Sequence, residues 1–229
     1  MENNIYKTYL KEIEKLKNDK NIKSIILVGS SKNKDLEKYC KINDIDLFVI
    51  VENQEKDQVR VIKTINNVEF DFNFISIEGS NNFIEGRVYF FLKIKDGKLI
   101  YDIDNIGANV MKLCEMKYEE GPDKLSVSQK NLEITQLTSD ISRLNEKDNY
   151  DDFEYDFLIY MYLSKVIKLY YLINDEWLPK DKVLLKSLKN DNYHLYELCA
   201  KVKGDNMYEK LMDVVKYTIE KSKWGGNYE

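Results

Sequence analysis

The apolar residues of this chain change their spacing once, near residue 105, and that change restricts the fold more than any other feature. Between about residues 22 and 103 they fall in short β-branched or aromatic runs: SIILV, DLFVIV, QVRVIKTI, VEFDFNFIS and KLIYDI. Runs of that length, separated by polar or glycine-containing stretches, read as strands. Ahead of them, Ile5, Tyr9, Leu10, Ile13 and Leu16 recur at helical spacing and predict an amphipathic first helix. Beyond residue 105 the period is helical throughout. Ile106, Val110, Leu113 and Cys114 mark one helix, and Leu132, Leu137, Ile141 and Leu144 mark the next. Phe153 to Ile173 is apolar on nearly every side, the pattern of a central bundle helix. Three shorter helices are expected near 180–190, 192–203 and 206–222. The fold class is therefore α+β, with strands first and an all-α bundle after. Gly121-Pro122 is the best breaker between them. We place the two domains at 1–120 and 121–229.

The 229 residues carry 43% hydrophobic and 33% charged side chains, a mixture suited to a folded domain with a core. The net charge of −5 gives the surface no general attraction for nucleic acid, so no such partner is expected. The N-terminal residues lack a signal-peptide apolar core, and no apolar run reaches membrane-spanning length. Cys40, Cys114 and Cys199 are scattered and odd in number, which suits reduced thiols and neither a zinc site nor a disulfide framework. A cytoplasmic protein without a membrane partner is the expectation.

One histidine, His194, is present. A single imidazole in a helical segment reads as a surface or partly buried residue. It leaves no room for His-rich metal sites, and Ser-His-Asp chemistry would rest wholly upon it. Acid–base or metal chemistry must then come from carboxylates.

The segment SIILVGSSKNKDLEKYCKINDIDLFVIVE offers them. A strand ends at Gly29-Ser30, thirteen residues follow, and Asp44-Ile45-Asp46 leads into the next strand. Glycine at a strand end permits a tight turn and close backbone approach to a ligand. A helix expected from about Lys34 would aim its first N–H groups at a phosphate, and the Ser30 hydroxyl could reach a terminal phosphate oxygen. Asp44 and Asp46 are two residues apart, so on a strand they share one face and repel unless a cation sits between them. Hard oxygen ligands of this kind suit Mg²⁺, which takes one or two carboxylates plus substrate phosphates. In VEFDFNFIS, Glu69, Asp71 and Asn73 alternate with Val68, Phe70, Phe72 and Phe74. The aromatic face belongs to the core, and the other face supplies a third carboxylate. Asp71 is the choice and Glu69 the alternate. The competing account is a surface Gly-Ser turn and an unrelated acidic strand entry. It leaves Asp71 unexplained.

Gly29-Ser30, the spacer, Asp44-Ile45-Asp46 and Phe70-Asp71-Phe72 together resemble the signature of the DNA polymerase β-type nucleotidyltransferase superfamily. The resemblance spans about 50 residues. It implies an N-terminal mixed-sheet nucleotidyltransferase domain. It also implies transfer of an NMP, in the first instance AMP from ATP, to a hydroxyl acceptor, with release of pyrophosphate. Asp44, Asp46 and Asp71 would be the catalytic, metal-binding acids for two Mg²⁺ ions, and Gly29 and Ser30 would hold the outer phosphates. The two-domain plan also resembles small bacterial antibiotic-modifying members, in which a helical-domain lysine reaches the triphosphate. Lys182 in Trp177-Leu178-Pro179-Lys180-Asp181-Lys182 is the matching choice and Lys180 the alternate. Pro-Lys-Asp-Lys is equally a plain helix start.

The acceptor implied is an aminoglycoside- or lincosamide-like antibiotic, hence a role in antibiotic resistance. The alternatives are a protein- or RNA-modifying minimal nucleotidyltransferase and a catalytically decayed nucleotide-binding module. Asp148, Asp151, Asp152, Glu154 and Asp156 crowd the start of the aromatic helix, where the helix dipole favours acids. One of them could instead face a cationic acceptor. Asp102 and Asp104 repeat the Asp-x-Asp pattern without a glycine turn before it, and read as a strand end and a helix cap.

Overall fold

A computed structural model describes residues 4–38 and 44–221. The chain divides into two compact units, Met1–Glu120 and Gly121–Glu229.

The first unit opens with helix α1 (Asn4–Lys17), followed by strands β1 (Ile22–Val28), β2 (Asp44–Val51), β3 (Gln58–Ile65) and β4 (Val68–Ser76). Helix α2 (Ile77–Glu85), the short α3 (Tyr89–Leu92), strand β5 (Lys98–Asp102) and helix α4 (Ile106–Glu119) complete it. The five strands form one mixed sheet in the order β3-β4-β2-β1-β5. β2 and β4 run parallel, while the other neighbouring pairs are antiparallel.

Alternation along the strands sorts the two faces. Ile45, Leu47 and Val49 of β2 join Phe70 and Phe72 of β4, with Tyr9 and Ile13 of α1, in one buried cluster. On the opposite face Phe48 stacks on Phe90 at 6.4 Å and meets Phe91 edge-on at 5.9 Å. That aromatic cover lies toward the carboxyl end of β2. At the amino end, Asp44 and Asp46 stay half-buried and Glu69 exposed. Burying apolar area on one side while leaving carboxylates hydrated on the other avoids the cost of desolvating charge.

Two features of this unit depart from expectation. Residues 77–97 hold α2, α3 and a 3₁₀ turn over Lys93–Asp96, where the sequence carries no clear periodic signal. Gly79, Gly86 and Asn82 lower helix propensity there, and a cap compensates. The Ser76 hydroxyl accepts from Gly79 N–H at 2.8 Å at the start of α2. The helix expected from about Lys34 does not form within the described residues. A 3₁₀ turn covers Ser31–Asn33 instead. Asp35 diverts the backbone after it, because its carboxylate accepts from Glu37 N–H at 3.2 Å and pairs with Lys38 at 3.1 Å. Cys40 lies outside the described residues.

The second unit is all-α: α5 (Val127–Ser142), α6 (Asp152–Ile173), α7 (Leu184–Asp191), α8 (Tyr193–Lys201) and α9 (Met207–Glu220). Ile141, Ile159, Val166, Ile167, Leu188, Leu195, Leu211 and Val214 make its core. Capping boxes start α5 at Ser126 and α6 at Asp151. Only the second half of α6 is central. Phe153 and Phe157, stacked on each other, are 79% and 59% exposed, so the aromatic run is an amphipathic helix at its start. No described helix is long and apolar enough to cross a membrane.

Candidate functional site

β1 delivers the chain to Gly29, whose φ of +68° only glycine adopts cheaply. The reason is visible across the strand pair. Val28 is opposite Asp46 in the antiparallel register, and a methyl group built on Gly29 would fall 1.8 Å from Asp46 Oδ2. The turn therefore brings bare backbone against a carboxylate. Ser30 follows, and its hydroxyl donates to Asp44 Oδ1 across 3.5 Å, a long contact. In this arrangement Ser30 faces the acid. Ser31 is wholly buried and ties its hydroxyl to Val28 O at 3.4 Å, fixing the exit from the strand.

The parallel pairing of β2 with β4 sets Asp46 opposite Asp71 and Asp44 opposite Glu69. In-register residues on parallel strands project to the same side. All four acids thus share the face away from the α1 core. Asp71 is only 13% exposed at its side chain and is closely held. Arg60 of β3 grips it as a two-pronged fork: Nε donates to Oδ1 at 2.9 Å and to Oδ2 at 3.1 Å, and Nη2 donates to Oδ2 at 2.7 Å. Asn73 Nδ2 adds a bond to Asp71 Oδ1 at 3.2 Å and is itself steadied by Gln58 Nε2, which donates to its Oδ1 at 2.8 Å. The hydrogen bonds to Asp71, then the Asp71 charge and more weakly those of Asp46 and Glu69, hold the Arg60 proton more firmly than usual.

Sequence reading passed over Arg60, although a signal was present. Asn66 and Asn67 both take positive φ, the geometry of a two-residue hairpin, and Ile65 pairs with Val68 across them. Counting back from that turn pairs Arg60 with Asn73 and puts its side chain beside Asp71. An asparagine pair between two alternating runs was enough to fix this register.

The donor set suits a divalent cation in kind and only partly in arrangement. Asp44 and Asp46 present hard oxygens from one strand face, beside the Gly29 turn, which fits Mg²⁺ completed by substrate phosphates. Among the described residues, no group of three or more His, Cys, Asp or Glu side chains stands ready to hold a metal ion. The fork from Arg60 takes up both oxygens of Asp71.

The remaining candidates fall elsewhere. Lys180 and Lys182 are exposed around a 3₁₀ turn over Asp181–Val183, just ahead of α7. Asp151 and Glu154 are used in the α6 capping box, and Asp152 lies 3.3 Å from Lys147. Asp102 accepts from Gly107 N–H at 2.7 Å and Ala108 N–H at 3.1 Å, so it caps α4. His194 is exposed and packs on Tyr217. Burial pushes the Cys114 and Cys199 thiols up to about 12, which removes both as nucleophiles near neutral pH.

The chain is similar to the crystal structure of a nucleotidyltransferase-like protein from Exiguobacterium sibiricum 255-15, at a TM-score of 0.50 and 13% identity. The match covers 94% of this chain and 73% of that one. The fold is nucleotidyltransferase-like. At that identity the likeness speaks for architecture alone. Neither a protein-family model nor a curated protein sequence matches the chain.

Proposed function

We propose that the chain is a metal-dependent nucleotidyltransferase that moves the NMP of an NTP, ATP in the first instance, onto an acceptor hydroxyl. One observation carries this reading. Asp44, Asp46 and Asp71 share a face on adjacent strands, next to a positive-φ glycine turn, in a nucleotidyltransferase-like fold. The acceptor oxygen attacks the α-phosphorus, the bond from that phosphorus to the α–β bridging oxygen breaks, and pyrophosphate leaves. Asp44 and Asp46 hold Mg²⁺, with Asp71 completing the place of a second ion. Bound there, Mg²⁺ supplies positive charge to the attacking and leaving oxygens. The Gly29 and Ser30 backbone positions the outer phosphates for in-line attack. Asp71 takes the proton of the acceptor hydroxyl. Lys182 is the residue we assign to the triphosphate, on the resemblance described above. A small hydroxylated antibiotic of aminoglycoside or lincosamide type is the acceptor we assign on the same ground.

Calorimetry with ATP and Mg²⁺ tests the site, followed by pyrophosphate release across an acceptor panel. We expect binding that needs the metal and is lost in the Asp44→Ala, Asp46→Ala double variant. Asp46→Asn removes charge without volume, so it should leave the fold intact and bring transfer to background. Near wild-type transfer by that variant overturns the assignment. Metal-dependent binding with no pyrophosphate released from any acceptor would mark a nucleotide-binding module instead.

A further inference from the structure

We infer that Arg60 is a built-in counter-cation that occupies Asp71, so that without nucleotide the acid face accepts one divalent ion, at Asp44 and Asp46. A second ion enters only when Arg60 leaves. The inference rests on the site proposed above and concerns how that site is regulated.

Arg60 takes both oxygens of Asp71 through three contacts between 2.7 and 3.1 Å, and Asn73 takes a further lone pair of Oδ1. A divalent ion on Asp71 needs those same lone pairs and repels the guanidinium. The two cations therefore exclude each other. Of the two partners, only Arg60 is free to move. Asp71 is locked in β4 between Phe70 and Phe72 at 13% exposure, whereas the Arg60 side chain is 58% exposed. The pair is bidentate but open on the Arg60 side, so the guanidinium can turn out to water when a substrate arriving with its own metal competes for Asp71. The vacated guanidinium would then lie beside the site, where its fork geometry matches phosphate oxygens.

Mn²⁺ alone, titrated into the full chain and followed by electron paramagnetic resonance, tests this without activity. Wild type should take one Mn²⁺ per chain and Arg60→Gln two, over the same concentration range. Arg60→Lys keeps the charge without the fork, and should admit the second ion about three- to tenfold more tightly than wild type. Lys63→Gln removes a positive charge elsewhere on β3 and should leave the count at one. If Arg60→Gln also takes one ion, or wild type already takes two, the inference is overturned. Loss of Mn²⁺ binding in the Asp44→Asn, Asp46→Asn variant keeps the underlying site even then. Unchanged binding in that variant overturns the site itself, and the role of Arg60 with it. Near-ultraviolet circular dichroism of each variant confirms that a changed count comes from a folded chain.

Discussion

The carboxylate of Asp46 rests where a side chain on Gly29 would have to go, with 1.8 Å between Oδ2 and the position a β-carbon would take. Gly29→Ala therefore strains the backbone at φ +68° and also pushes Asp46 aside. Strain of that kind costs about 1–3 kcal/mol. The variant should lower the urea midpoint of the chain and weaken Mn²⁺ binding together. A wild-type midpoint with unchanged cation affinity would contradict the close approach.

Lys182→Ala should raise the KM for the nucleoside triphosphate and leave the thermal midpoint unchanged, because the side chain is exposed at the start of α7. Lys180→Ala is the parallel control. Steady-state kinetics at saturating acceptor decide between them, and an unmoved KM in both variants returns this turn to a purely structural role.

Lys130 is the one lysine among the described residues with its side chain buried, and two partners hold it there. Its ammonium donates to Ile173 O at 2.9 Å, at the end of α6, and lies 2.6 Å from Asp175 Oδ1 as an ion pair outside hydrogen-bonding angles. Lys130→Ala leaves a helix-terminal carbonyl without its donor and Asp175 without its counter-charge. Asp175 keeps some water contact, so the expected cost is about 1–3 kcal/mol, below that of a fully buried pair. Chemical denaturation followed by tyrosine fluorescence measures it. A loss under a few tenths of a kcal/mol, on the order of an ordinary surface change, would show the pair to be dispensable.

Alkaline pH should destabilise the chain progressively above about 9. Burial raises Cys114 and Cys199 from 9.0 to about 12, and burial with a nearby Tyr6 raises Tyr9 from 10.0 to about 12. The unfolded chain releases these protons first, so stability is fully present below the unfolded pKa and falls as pH rises toward the folded one. Urea midpoints between pH 8 and 11 check the slope. Thiol labelling of Cys114 and Cys199 should proceed only as fast as the protein opens. A flat stability profile across that range is the contrary result.

Legibility in the sequence followed how strongly each segment was patterned. The five strands announced themselves through β-branched and aromatic runs, and β4 through strict alternation from Val68 to Phe74, which put Asp71 on the polar face. The central run of α6 was plain for the same reason, although its first aromatics are exposed, since composition alone does not say which apolar face finds a partner. α2 and α3 were hidden by Gly79 and Gly86, whose low propensity is offset by a cap and by packing of Phe83 on Phe91. The stretch after Ser30 failed for a local reason, the Asp35 carboxylate competing for backbone N–H groups. Arg60 was missed because β3 was read by itself. Its importance is a pair property, which exists only once the strand is folded against β4.

The Asn66-Asn67 turn accordingly works as a ruler for charge as well as for shape. Strand side chains alternate every residue, so one inserted residue in that turn would slide β3 by a step and flip it over. Arg60 would then point into the oily side of the sheet, and Asp71 would sit beside Asp46 without its counter-charge. The length of a two-residue bend, far from any reacting atom, thereby decides whether three negative charges are tolerable in the resting protein.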